Sequence, residues 1–512
     1  MIFNKIEADS YQASPFGLSK TFFPSKEAVN EFAEEFVSWT QPTQRLEPQV
    51  VNLSVIDQAV VRCWCSYVLC FEMPPDVSNR QIFDHLKKGL QKTIEQFPFI
   101  SGNLVSSTDA KDGSVYVNVG PESGIAFGYR DISKLPMASD LTFDKLRQHD
   151  FTSSMIESSE LCVAPDPKTI NSAAKQPVFL AQATFLHGGV LLFFAHSHEI
   201  ADVTGTDSIM RTWSENVSAI ADGRTPPFSE ALREASLKTD RTRLSNGDID
   251  PSIPESSFPM VIDRSDLSTE TLPALSLKHD QNPSTIWYMD KARMQELKQL
   301  ASPIKGTNSY ISTLDAVNAL IWRAICRARR LRQRGVLSSR LFFVCDVRSK
   351  LQPPMRPDST CNAIMKLHAE QACADIQDQD FVTSLSASAS SIREAIQGFT
   401  QSQFETWISY AKSAPSFLSL KSKENLCHGP DVVVTDHSKV SAYQYRWGPL
   451  GSIQRFRNPW WGRSDPKPYS QVTFMPLLSD GGLEILTNFD EETNQQLLQD
   501  VELARFVSVR CC

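Results

Sequence analysis

The stretch Phe193–Gly205 reads FFAHSHEIADVTG, an apolar run that closes on two histidines, a glutamate and an aspartate. Imidazole is the side chain best suited to take and return a proton near neutral pH. His198, at the end of such a run, could act as a general base on a hydroxyl, or it could merely cap a strand. His196 lies two residues earlier. In a continuing strand, positions two apart point to the same side, so His196 could line the same space or sit satisfied in a core. Asp202 stands four residues beyond His198 and could orient the imidazole as a triad carboxylate does. The eleven cysteines and nine histidines show no metal-ligand spacing, and no glycine-rich phosphate loop occurs. No metal and no permanently bound cofactor are expected.

Composition limits what this chemistry can serve. A chain of 512 residues exceeds one ordinary core and predicts two or three domains. With 41% hydrophobic and 21% charged residues it reads as a soluble globular protein. A net charge of -8 argues against a nucleic-acid binder, which needs a basic face. No run of eighteen apolar residues predicts a membrane span, and the first twenty residues lack the basic and apolar regions of a secretory signal. Scattered cysteines in odd number suit free thiols in a reducing compartment, so a cytoplasmic location is expected. The ending ELARFVSVRCC reads as a helix running into a tail, with lipidation of Cys511 and Cys512 as the weaker alternative.

Certain elements must position these residues. Asn52–Met73 reads as a short start segment followed by a strand rich in Val, Cys, Trp and Tyr. Ile82, Phe83, Leu86, Leu90 and Ile94 recur at helical spacing and stop before Pro98 and Gly102. PVFLAQATFLHGGVLLFFAH predicts two strands joined at His187–Gly189 as a hairpin. Residues 223–283 are rich in proline, serine and charge without a sustained period, and read as a crossover. The domains are therefore expected at 1–222 and 284–512, with 223–283 as linker. Beyond the crossover, Ser312 or Thr313 caps a helix that turns Val317, Leu320, Ile321, Ala324 and Ile325 inward. Its end carries Arg323, Arg327, Arg329, Arg330, Arg332 and Arg334, which read as a solvated face, with an anion site as the alternative.

The ordered set of segments then resembles a known family. HEIAD (His198–Asp202) resembles the His-x-x-x-Asp motif of the BAHD acyltransferases, which use acyl-CoA. FPFISGNL resembles the helix-to-strand step early in that family, and ISTLDAVNALIWRAICRAR, CDVRSKLQPP, YQYRWGPLGSIQRFR and SDGGLEILTNFDEE resemble its later landmarks, all in the family's order from about Leu53 to Phe506. The style is similar to the fungal branch, whose members acylate specialised metabolites.

The resemblance implies an α+β fold of two chloramphenicol-acetyltransferase-like domains, each a mixed β-sheet flanked by helices, with a channel between them. It implies an acyltransferase, transferring groups other than aminoacyl groups, with acyl-CoA (an acetyl donor is expected) as co-substrate and a hydroxylated small molecule as acceptor. His198 would be the base in a ternary complex. Asp202 would pair with Arg348 as a structural motif. Ser312 and Thr313 would contact CoA, or else only cap their helix. Trp447 and Gly448 would hold the place of the family's Asp-Phe-Gly motif along the channel. A monomer is expected. Two departures stand out: Val203 follows the aspartate where glycine is usual, and Arg446 replaces the aspartate of the later motif. The altered Arg446 segment keeps open a relative that performs N-acylation or an acid–base-assisted cyclisation. A non-catalytic binding module is the third reading.

Overall fold

Two mixed β-sheets carry the architecture in the computed structural model, which describes residues 34–106, 112–133, 141–156, 176–262, 284–303, 310–426, 429–459 and 471–511. The first sheet runs Glu34–Thr40, Ile125–Asp131, Phe179–Leu186, Gly189–Ser197, Trp64–Glu72 and Arg455–Arg457. Only Ile125–Asp131 and Phe179–Leu186 pair in parallel. Phe179–Leu186 and Gly189–Ser197 form the expected hairpin, with Leu186 opposite Gly189 and Gly188 at φ +82°. Every residue of both strands is buried, as their nearly unbroken apolar sequence demands.

Helix Asn79–Gln96 starts at Ser78, which forms a capping box with Gln81, and buries Ile82, Phe83, Leu86, Leu90 and Ile94. Helix Val203–Ala221 crosses it at Gly89, where a Cβ would lie 2.4 Å from Val217 Cγ2. The Trp213 indole N–H donates to Leu86 O at 2.8 Å across the same contact. The helix that leaves the His198 turn is thereby locked to the first core.

The second sheet runs Ile364–Ala372, Ser338–Asp346, Val432–Asp436, Gln471–Phe474, Leu483–Asn488, Ser284–Met289 and Ser508–Cys511. Its three consecutive strands from Ser338–Asp346 to Gln471–Phe474 are parallel and the remaining pairs antiparallel. Helix Thr313–Ala328 packs against it with an almost wholly buried surface.

Three sequence expectations change here. The arginines at the end of that helix are not one solvated face. Arg323 is buried, with Nε and Nη2 on Glu502 at 2.7 and 3.0 Å, and Arg329 is buried on the Gly429 carbonyl. Only Arg330, Arg332 and Arg334 are exposed. The chain end is no loose tail, because Ser508–Cys511 is an edge strand antiparallel to Ser284–Met289; Cys512 lies outside the described residues. The crossover carries a helical run, Glu230–Arg243, that buries Leu232 and Arg241. Its strand Met260–Ile262 pairs with Leu420–Ser422, and residues 263–283 lie outside the described residues.

The chain also returns from the second half to the first. Arg455–Arg457 adds the last strand to the first sheet, and Leu450, Ile453 and Phe456 complete the first core. The anchor is Glu484, fully buried in the second sheet, which accepts Arg457 Nη1 at 2.7 Å and Arg510 Nη1 at 2.8 Å. Burial alone would raise the Glu484 carboxyl; Arg457 and Arg510 outweigh it and hold the pKa below the ordinary value. Glu484→Gln strands two guanidinium groups without their carboxylate. The expected loss is about 3–5 kcal/mol, read as a lowered denaturant midpoint.

Candidate active site

Strand Gly189–Ser197 ends where the sequence turns polar. His198–Ile200 is a single 3-10 turn, and Asp202 then caps helix Val203–Ala221 by accepting Gly205 N–H at 2.9 Å. The turn lifts His198 out of the strand's alternation, leaving it half-buried at the seam with the second half. Its backbone N–H donates to Cys63 O at 2.8 Å, and its carbonyl accepts Asn362 Nδ2 at 2.8 Å. Its Nδ1 is buried and has no hydrogen-bond partner among the described residues.

Asp202 does not orient that ring. Arg348 grips it with both terminal nitrogens, Nη1 on Oδ2 and Nη2 on Oδ1, each at 2.9 Å. Ala363 N–H donates to Oδ2 at 2.9 Å. Carboxylate and guanidinium are almost fully buried, at 4% and 3% exposure. Burial works to lower the Arg348 pKa, yet the Asp202 charge overcomes it and the net direction is upward. Arg348 also donates to the carbonyls of Ser359 and Cys361. Segment Ser359–Ala363 therefore presses on the helix start, where a Cβ on Gly205 would lie 2.3 Å from Thr360 O.

His196 belongs to the core. It is fully buried, its Nδ1 lies 2.9 Å from the Ser197 carbonyl and its Nε2 2.7 Å from Thr206 Oγ1. Nδ1 thus faces a carbonyl, which only accepts, and Nε2 a hydroxyl that also donates to the Asp202 carbonyl at 2.9 Å. Burial, with a smaller contribution from His198, pushes its pKa down to about 4. Sequence reasoning passed over His437, at the end of Val432–Asp436, a lone histidine between polar residues. It is buried, and burial together with the nearby His198 brings it too down to about 4.

The remaining expected residues fall elsewhere. Ser312 caps its helix: Asp315 N–H donates to its Oγ at 3.1 Å, and the Asp315 carboxylate accepts Ser312 N–H at 2.6 Å. Arg393 holds that carboxylate at 2.5 Å, so negative charge already occupies the helix start. Thr313 is half-buried on the first turn. Trp447 is fully buried in the first core, 5.4 Å edge-on from Trp213 and 5.8 Å from Phe71. Gly448, at φ +56°, donates its N–H to Ser218 Oγ at 2.9 Å. These two dock the later motif onto helix Val203–Ala221. Among the described residues no group of three His, Cys, Asp or Glu side chains is placed to hold a metal, and no helix is long and apolar enough to cross a membrane.

Residues 34–502 match the family model described as "Transferase family". The chain is 27% identical over 477 residues to the acyltransferase easC of Emericella nidulans, covering 90% of this chain and 95% of that protein. It is 22% identical to the eremophilane O-acetyltransferase ORF8 of Penicillium roqueforti, covering 90% and 98%. The F. graminearum TRI101 structure, complexed with coenzyme A and T-2 mycotoxin, superposes with a TM-score of 0.76 at 19% identity, over 90% of this chain and 100% of that one. Vinorine synthase superposes with a TM-score of 0.62 at 17% identity, over 93% and 98%.

The two neutral histidines set a pH response. With folded pKa values near 4 and an unfolded value of about 6.5, the unfolded chain binds more protons between these limits. Stability is therefore full above about pH 6.5 and is lost as pH falls towards 4, by at most about 3 kcal/mol per ring. Between pH 6.5 and 5, above the carboxylate range, a melting series should fall with pH. His437→Phe should flatten that slope; an unchanged slope would mean the ring is charged in the fold.

Proposed function

The chain belongs to the Transferase family, the BAHD acyltransferases, and from that premise we propose that it moves an acyl group from acyl-CoA to a hydroxyl of a specialised metabolite, with His198 as the general base. The observation that carries this reading is the His198 turn itself. An imidazole stands half-buried at the seam, its backbone tied on both sides, on a loop gripped by Arg348 from the other half. Relatives named O-acetyltransferases support an acetyl donor, and a neighbour solved with coenzyme A supports CoA as the carrier.

The proton balance is simple. The hydroxyl oxygen attacks the thioester carbonyl as His198 takes the hydroxyl proton. The C–S bond then breaks, and the imidazolium returns the proton to the departing thiolate. No covalent acyl-enzyme is needed. In this reading Asp202 and Arg348 act through geometry, aiming the turn. The reversed charge at Arg446 falls on an exposed side chain whose backbone carbonyl accepts the Ser218 hydroxyl at 2.6 Å. It therefore gives no support to a different reaction. A monomer and a cytoplasmic location complete the proposal.

Free CoA released from acetyl-CoA, in the presence of an extract of hydroxylated metabolites, reads the activity. His198→Ala should lower turnover at least about a hundredfold with an unchanged circular dichroism spectrum, and near-normal turnover would reject the base. For the CoA contact, Thr313 is the proposed residue, since Ser312 serves the cap. Thr313→Val should raise the KM for acetyl-CoA about fivefold, the worth of one neutral hydrogen bond, without lowering the melting temperature. Ser312→Ala should do the reverse, costing about 1 kcal/mol of stability at constant KM.

A further inference from the structure

A second buried carboxylate lies behind the turn. Asp57 is fully buried and receives five hydrogen bonds: Ser54 N and Oγ at 2.8 Å each, Arg241 Nη1 at 2.6 Å, and Asn362 N and Nδ2 at 2.9 and 2.8 Å. Its partners come from three parts of the chain: its own helix cap, the crossover and the second half. Both partner side chains continue to the His198 turn. Asn362 Nδ2 also donates to His198 O at 2.8 Å, and Arg241 Nη2 donates to Ile200 O at 3.0 Å. Arg241 is 1% exposed and lies over the Phe99 ring at 5.1 Å.

We propose that Asp57, Arg241 and Asn362 form a clamp that positions His198 by holding the carbonyls of His198 and Ile200. The inference rests on His198 as the base. Its ground is the ring's own lack of an orienting partner: with Nδ1 unbonded among the described residues, the imidazole takes its aim from its backbone. That backbone is fixed on one side by Cys63 O and on the other by Asn362. The Asn362 amide cannot serve the other way round, because a flipped Oδ1 would face the Asp57 carboxylate. Its Oδ1 is left buried without a partner among the described residues, a cost accepted so that Nδ2 can reach both acceptors. Asp202–Arg348 fixes where the turn ends, and Asp57–Arg241–Asn362 fixes where it begins.

Asn362→Ala and Arg241→Lys test the clamp, with Leu385→Ala, a truncation in the second core, as control. Turnover and the KM for acetyl-CoA are measured at fixed metabolite extract, well below each melting transition. In parallel, NMR of 15N-histidine-labelled protein follows the ring of His198, identified by its loss in His198→Ala. Each clamp variant should lower kcat about ten- to a hundredfold, as misplacement of a reacting group does. The KM should change less than about twofold, and the His198 ring signals should shift while those of His196 stay. Leu385→Ala should lose melting temperature and keep kcat. Parent-like kcat and parent-like His198 signals in either folded clamp variant overturn the proposal, as does a kcat loss matched by the control. Should Asn362→Ala fail to fold, Arg241→Lys decides alone, since it leaves Asp57 a cation but shortens the reach to Ile200. Full turnover in His198→Ala would instead sink the base assignment, and the ring signals would still report the clamp.

Discussion

The site depends on one buried ion pair, Asp202 with Arg348. Residues 146 positions apart meet through two 2.9 Å hydrogen bonds in a place almost closed to water. Such a pair adds little net stability over apolar groups of the same shape, so its value lies in what it determines. Asp202 caps helix Val203–Ala221, accepts Ala363 N–H and ends the turn that holds His198. One carboxylate thus refers the helix start, the second half and the His198 turn to the same two oxygens. Lysine could not replace the arginine there, because a point charge lacks the planar fork that meets both oxygens.

The departures from the family pattern become intelligible in this frame. Val203 is the first residue of a regular helix, where a β-branched side chain needs no positive φ. The demand for glycine falls two residues later, at Gly205, where the Thr360 carbonyl leaves no room for a Cβ. Likewise the Arg446 side chain faces solvent while its carbonyl and the Gly448 N–H both bond Ser218. Docking of that segment uses backbone groups and the buried Trp447 ring, so it tolerates a reversed charge.

Much of this was legible because burial leaves a period in the sequence. Helix Asn79–Gln96, the hairpin at Gly188 and helix Thr313–Ala328 follow from apolar spacing and capping residues. What was not legible is buried polarity. Arg241, Asp57 and Asn362 have ordinary polar neighbours, and nothing in a hydropathy pattern separates a buried arginine from a solvated one. The same blindness made Arg323 and Arg329 look like surface. The crossover misled for a related reason: its short helical run buries Arg241 alongside Leu232, so no apolar stripe announces it. The end strand Ser508–Cys511 offered only four residues, half of them exposed, too few to distinguish from a tail.

The two histidines of HSH then show how one turn gives neighbouring rings different surroundings. Strand alternation would have put both rings on one side, but the strand stops at Ser197 and the rule stops with it. His196, still in the strand, is fully buried with both ring nitrogens in contact with neighbouring groups, and burial pushes its pKa down; neither nitrogen is open to a substrate. His198, one residue past the strand, is held among the described residues through its backbone, with Nδ1 unbonded. A base must be aimed and yet unengaged. A triad reconciles these demands with a carboxylate on the ring's far nitrogen; here Asp202 is occupied by Arg348, and with His198 as the proposed base the aim comes through the peptide groups on either side of it. On that reading the backbone of residues 198–202 is as much a part of the site as the imidazole.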